Sequence, residues 1–175
     1  YLQWHRRTNT DTTPPEPVLQ RNHNVECRDA VLAYDGEATL RLDERARPVS
    51  VWDMRTYKTD PVTGKQVPDE TARALIYEYA NPRRASWPDA EFIVSNPPFI
   101  GNKMMRRDLN DGYVETLRKA YPDVSETTDY VMYWWEKAAS LVRAGKVRRF
   151  GMITTNSITQ VFNRKVLQQH LDAKK

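Results

Sequence analysis

The sequence predicts an open α/β sheet, and three observations predict it. Two compact apolar runs, Glu91-Phe92-Ile93-Val94-Ser95 and Phe150-Gly151-Met152-Ile153-Thr154-Thr155, are each bounded by turn residues, the pattern of buried parallel strands. Between them, Val131, Trp134, Trp135, Ala138, Leu141 and Val142 fall three and four residues apart and so share one face of a helix. Ahead of both, Asn24-Val25-Glu26-Cys27-Arg28-Asp29 alternates apolar and polar and reads as a strand ending in an acid. Strand, insertion, strand, long helix, strand is the order of an open α/β sheet, in which ligands bind beyond the carboxyl ends of the strands. Asp29, Asn96 and Asn156 are expected at that edge.

Taken in order, residues 1–23 are a basic and aromatic stub followed by a Thr- and Pro-rich loop that opposes a helix. The catalytic domain is expected over 24–171, with an insertion at about 34–90 and a short tail at 172–175. Within the insertion, alternating residues at 49–68 flank Asp60-Pro61-Val62-Thr63-Gly64 and predict a hairpin with a Gly-containing turn. A short helix is predicted at 69–79, ended by Asn81-Pro82-Arg83-Arg84 and followed by a second turn at Trp87-Pro88-Asp89. Asn96-Pro97-Pro98-Phe99 then stops the second strand, because two consecutive prolines donate no ladder hydrogen bonds. Ser125, Thr127, Thr128 or Asp129 caps the long helix, which runs to about Ala144 and ends at Gly145 in a left-handed conformation. A last helix is predicted over 164–171.

Composition narrows the function classes. With 27 Lys and Arg against 23 Asp and Glu, the chain carries +4 and is mildly basic rather than a polycation. No run approaches the roughly 18 apolar residues of a membrane span, and the first residues form no signal segment, so a cytoplasmic protein without a membrane partner is expected. The single cysteine excludes an intramolecular disulfide. Cys27 lies in a predicted strand, outside the Pro-Cys context of a C5-methylating thiolate, and is expected to be buried and structural. His5, His23 and His170 are dispersed with no partner at ligand spacing, so no metal is predicted.

Asn96-Pro97-Pro98-Phe99 is the motif that carries chemistry. The lone pair of an exocyclic amine is delocalised into its ring, which makes the nitrogen a poor nucleophile. Methylating it requires acceptors that hold both N–H groups and draw the nitrogen toward tetrahedral geometry. The Asn96 side-chain oxygen and the Pro97 carbonyl can be those acceptors, the proline rings fixing the carbonyl's direction, and Phe99 offers a flat face for stacking. Just downstream, Lys103, Arg106 and Arg107 supply positive charge suited to DNA phosphates.

These four residues resemble the (Asn/Asp)-Pro-Pro-(Tyr/Phe) signature of S-adenosylmethionine-dependent amino methyltransferases, above all the adenine-N6 DNA methyltransferases. The longer text through Ile100-Gly101-Asn102-Lys103, with Thr128-Asp129-Tyr130-Val131-Met132-Tyr133-Trp134-Trp135-Glu136-Lys137-Ala138 and Gly151-Met152-Ile153-Thr154-Thr155-Asn156-Ser157-Ile158, is similar to the methyltransferase domain of restriction-modification enzymes of the fused, type IIG/IIL-like kind. The resemblance covers about 24–171 and implies a Rossmann-like methyltransferase fold, with an open, mostly parallel sheet and helices on both faces. It further implies transfer of a methyl group from S-adenosyl-L-methionine to a flipped adenine of double-stranded DNA. Asn96, Pro97, Pro98 and Phe99 are the implied catalytic residues, and Asp29, Asn96 and Asp129 the implied cofactor contacts.

One departure from the family pattern accompanies the match. The six glycines, Gly36, Gly64, Gly101, Gly112, Gly145 and Gly151, are isolated, and none forms the Gly-rich loop that approaches the cofactor. By comparison with the family, the chain is expected to be a fragment holding half a cofactor site, inactive by itself and partnered by the remainder of a larger polypeptide. Two other readings stand beside the DNA enzyme: a methyltransferase acting on protein glutamine or ribosomal RNA guanine, and a non-catalytic DNA-contacting remnant.

Overall fold

The computed structural model describes residues 25–173. The predicted N-terminal stub and loop, Asn24 at the head of the predicted first strand, and Lys174-Lys175 of the tail lie outside the described residues.

The predicted insertion forms one long antiparallel ribbon. Strand β1 (Leu32–Leu40) pairs with β6 (Tyr77–Arg84), β2 (Ser50–Trp52) with β5 (Arg73–Leu75), and β3 (Tyr57–Thr59) with β4 (Gln66–Pro68), each pair nested in the one before. The chain reverses at the predicted turn. There the Asp60 carboxylate accepts from the Val62 and Thr63 amides, both at 2.8 Å, and Gly64 takes a φ of +66°, which a side chain would oppose.

Two expectations fail in this region. Residues 69–79, predicted as a helix, supply β5 and the start of β6, and Asn81-Pro82 lies inside β6 instead of ending a helix. Ala72, Ala74 and Leu75 are good helix formers, but that preference amounts to only a few tenths of a kcal/mol per residue, and pairing with a distant strand outweighs it. Pro82 is tolerated because each ribbon strand has one edge free of ladder bonds. The predicted first strand is also absent, since residues 25–29 carry no strand and β1 starts only at Leu32. Asp29 opens a turn instead, its Oδ1 accepting from Val31 N at 2.8 Å and Leu32 N at 2.9 Å. Cys27, expected to be buried, is exposed in this unpaired segment.

Strands β7 (Phe92–Ser95) and β8 (Arg149–Met152) form a parallel pair, in register from Phe92 opposite Arg149 to Ser95 opposite Met152. This is the only parallel pairing among the described residues, whose other three strand pairs are antiparallel. The chain is therefore mixed α/β, and the mostly parallel sheet expected from the sequence is not what these residues display. Burial of the two strands is one-sided as well. Ile93, Phe150 and Met152 turn to the covered face, whereas Val94 is 91% exposed on the other, across which no element lies among the described residues.

Five helical segments complete the order among the described residues: α1 (Asn102–Leu109), α2 (Asp111–Ala120), α3 (Val131–Arg143), a 3-10 turn (Asn156–Thr159) and α4 (Val161–Asp172). Helix α3 is the element the periodicity located best. Its first half is buried on every side, and its end shows the predicted left-handed Gly145 at φ +69°. Its start differs from expectation, for Tyr130 precedes it with no side-chain cap, and Thr128 closes a separate turn onto the Ser125 carbonyl. The core gathers Val31 and Leu32 from the ribbon base, Met105 from α1, Val114 and Leu117 from α2, Val131 to Tyr133 from α3 and Val166 from α4. No helix of the described residues is long and apolar enough to cross a membrane.

Candidate functional site

Asn96-Pro97-Pro98-Phe99 leaves the sheet at the carboxyl end of β7, and Asn156 follows β8 at the same end of the parallel pair. Pro97 is buried, which anchors the loop, while Asn96 is exposed and Phe99 is 49% exposed. The motif thus holds two chemically different side chains toward solvent on a backbone the prolines keep stiff.

Asn96 and Phe99 open into different recesses. Phe99 lines a cavity of about 710 Å³ together with Met104, Asp129, Val131, Gln160 and Phe162. Asn96 lines a shallower hollow of about 400 Å³, floored by Val94, Gly151, Met152 and Ile153.

Behind the loop stands Asp129. Its Oδ1 accepts from the Asn102 amide at 2.9 Å, in the first turn of α1, where a negative charge also meets the positive end of the helix dipole. Its Oδ2 accepts from Asn163 Nδ2 at 2.8 Å, and its own amide donates to Asn163 Oδ1 at 2.9 Å. Tyr130 N donates to the Ile100 carbonyl at 2.9 Å, so two consecutive residues before α3 tie down the end of the loop. Asn163 went unnoticed in the sequence. The available signal is its place on the inner face of α4 with Val166 and His170, since a buried asparagine must find partners.

Asp29 is placed elsewhere. It ends no strand and lines neither recess. Its Oδ2 accepts from the Tyr113 hydroxyl at 2.6 Å, which meets the Tyr130 hydroxyl at 2.7 Å. Burial first, then Tyr130 and the Asp29 carboxylate, push the Tyr113 phenol well above its ordinary range and keep it protonated.

The three basic residues of α1 have different surroundings. Lys103 lines the larger cavity and has no acidic partner among the described residues. Arg106 is paired with Asp111 and Glu115 of α2. Arg107 binds Asp108 at 2.8 Å, and Asp108 also accepts from Arg55 of the ribbon at 3.4 Å. No group of three His, Cys, Asp or Glu side chains among the described residues is arranged to hold a metal ion.

Comparison with known proteins adds one finding. A family model, described as the MmeI DNA-methyltransferase domain, matches residues 19–175. No curated protein and no solved structure matches the chain.

Proposed function

The chain belongs to the MmeI DNA-methyltransferase domain family, and on that premise we propose that it methylates the N6 amine of adenine in double-stranded DNA, using S-adenosylmethionine, within a restriction-modification system. The family makes it a DNA methyltransferase domain of the restriction-modification kind; the adenine, the donor and the residues are our reading. The observation that carries this reading is the stiff loop at the end of β7, which presents Asn96 to one recess and Phe99 to another. In this reading β7 and β8 are neighbouring strands of a Rossmann-like methyltransferase sheet.

Two reactants require two recesses. When bound, S-adenosylmethionine supplies an electrophilic methyl group on a sulfonium. The hollow beside Asn96 suits such a ligand, with a side-chain oxygen for the cationic end and an apolar floor at Val94 and Ile153 for methylene groups. Asp29 and Asp129 were the other cofactor candidates. Asp129 borders the larger cavity, and its carboxylate already accepts two hydrogen bonds from the protein.

The chain's own residues act on the base. Phe99 stacks on a flipped adenine, worth about 1–3 kcal/mol and comparable with the few kcal/mol that unstacking costs. Asn96 Oδ1 and the Pro97 carbonyl accept the two amino N–H groups, which returns lone-pair density to the nitrogen. That nitrogen would form the new N–C bond as the methyl group's bond to the sulfonium sulfur breaks, the sulfur leaving with that electron pair as a neutral thioether, and would then release one proton to water. No covalent nucleophile is needed. Lys103, which lines the cavity and has no acidic partner among the described residues, would meet a phosphate beside the flipped base.

The test is methyl transfer from labelled donor to DNA by the larger polypeptide in which this domain is carried, followed by nucleoside analysis. N6-methyladenine is the expected product, and label confined to protein or RNA with DNA adenine unmodified would overturn the proposal. Asn96→Ala should lower transfer at saturating donor by on the order of 100-fold or more, a larger loss than any weakening of donor binding that calorimetry records. Retained transfer would remove Asn96 from the assigned role.

A further inference from the structure

A buried asparagine outside the motif is bonded into the site. Asn163, only 2% exposed, sits in the first turn of α4 and uses both its amide N–H groups and its oxygen. Nδ2 donates to Asp129 Oδ2 and to the Ser157 carbonyl, each at 2.8 Å, and Oδ1 accepts from Asp129 N at 2.9 Å. Asp129 extends the connection to Asn102 at the head of α1, the first residue after the loop's closing Gly101. One side chain thus joins the segment after β8, the start of α3 and the end of the loop that carries Asn96 and Phe99.

We propose that Asn163 is a positioning residue for methyl transfer: by holding the Asp129 carboxylate it fixes where α1 begins, and so where Phe99 and Asn96 stand. The inference rests on the reading of those two residues given above. Its physical basis is the polarity of the pair. Asp129 presents one acceptor oxygen and one amide donor to Asn163, and only a side chain with an acceptor and a donor in the matching order satisfies both. Asp at 163 would set two carboxylates face to face. Asn at 129 would set two NH₂ groups face to face. The exchange of both residues restores one donor opposite one carboxylate and keeps an acceptor for the backbone amide of residue 129, at the cost of a carboxylate oxygen in place of the donor to the Ser157 carbonyl.

The test compares, within the larger polypeptide that carries this domain, the unsubstituted protein with Asn163→Asp, Asp129→Asn and the combined exchange. For Asn163→Asp, kcat should fall about 10- to 100-fold with the KM values for donor and DNA within about threefold, as expected when reacting groups are misplaced but binding surfaces survive. The exchange should recover most of that loss, although each single change is damaging. Hydrogen exchange of the Asn102 amide, followed over residues 96–104, should accelerate in Asn163→Asp and slow again in the exchange. An unchanged kcat in Asn163→Asp, a loss confined to KM, or a combined variant no better than the singles would each overturn the proposal. If the unsubstituted protein modifies no DNA, the functional reading fails instead, and unaltered Asn102 exchange in Asn163→Asp would still refute the clamp on its own.

Discussion

Lys103 and Arg106 stand three residues apart on α1 with the same charge, and their surroundings give them different work. Arg106 is held by Asp111 and Glu115 and ties α1 to α2, so Arg106→Ala should cost roughly 1–2 kcal/mol in urea unfolding and leave the salt dependence of DNA binding unaltered. Lys103→Ala should do the reverse, weakening binding to all sequences alike and reducing the slope of log K against log salt by about 1. Lys137 makes a different case. It is 8% exposed, its ammonium lies 5.1 Å from the centroid of the Trp87 ring, and it has no carboxylate partner among the described residues. Burial, then the charges of Arg84 and Arg28, lower its pKa from 10.5 to about 8. The folded value lies below the unfolded one, so stability contributed by neutral Lys137 is present above 10.5 and is lost as pH falls through about 8. Lys137→Met should therefore stabilise the protein at pH 7 by roughly 1–2 kcal/mol, a gain that fades as pH rises toward 10.5. Urea titrations at pH 7 and at high pH measure both ends, and a gain that persists at high pH would contradict the argument.

Between elements, α2 and the ribbon come together backbone against backbone at Gly112. A methyl group on Gly112 would come within 2.0 Å of the Tyr77 carbonyl oxygen, a backbone atom that cannot swing aside. Gly112→Ala must push β6 away from α2 and should cost about 1–3 kcal/mol in chemical denaturation, the range for forced overpacking. Just before it, Asn110 takes φ +78°, ψ 145° and bonds to the Leu75 carbonyl at 2.7 Å and the Gly112 amide at 3.0 Å, so the break between α1 and α2 is built around the same contact. This explains what the sequence revealed about elements and what it concealed. Helix α3, the β7 strand and the Asp60 to Gly64 turn were legible because their signals are local: periodicity, bounded apolar runs, a carboxylate that caps its own turn. The strands at 73–84 were not legible, because their partners lie across the whole ribbon and their residues favour a helix locally. The same division runs through the candidate site. The loop at 96–99 could be read from four adjacent residue types, whereas Asn163 acquires meaning only from Asp129, 34 positions earlier, and Asp29 was misplaced with the strand it was thought to end.

At the scale of the whole molecule, the body formed by the helices and the parallel pair and the outer ribbon are joined by few ties. The ribbon's cations are largely satisfied within it, as in Arg41 with Glu78, Arg47 with Asp43, Lys58 with Asp69 and Arg83 with Asp35. Strand β3 is exposed along its length and β4 nearly so, and Arg55 reaches the body through the Arg107 carbonyl at 3.0 Å and Asp108. The buried residues of the core come instead from the ribbon base, where Val31 and Leu32 meet α2 and α3. Stability should therefore reside inside Leu32 and Arg84, the ends of β1 and β6, and hardly at all in the tip. Asp53 N already donates to the Ala72 carbonyl at 3.1 Å, so replacing residues 54–71 with Asn-Gly closes the shortened ribbon in a favourable two-residue turn. Exposed segments bury little apolar area, and shortening a loop lowers its closure entropy, so the trimmed protein should keep one cooperative unfolding transition with a free energy within about 1 kcal/mol of the original. Within the ribbon, trypsin should likewise cut first after the exposed Lys58 and Lys65, leaving the body folded. A loss of cooperativity, or a loss of several kcal/mol on trimming, would place the tip within the folding unit and refute this division of the molecule.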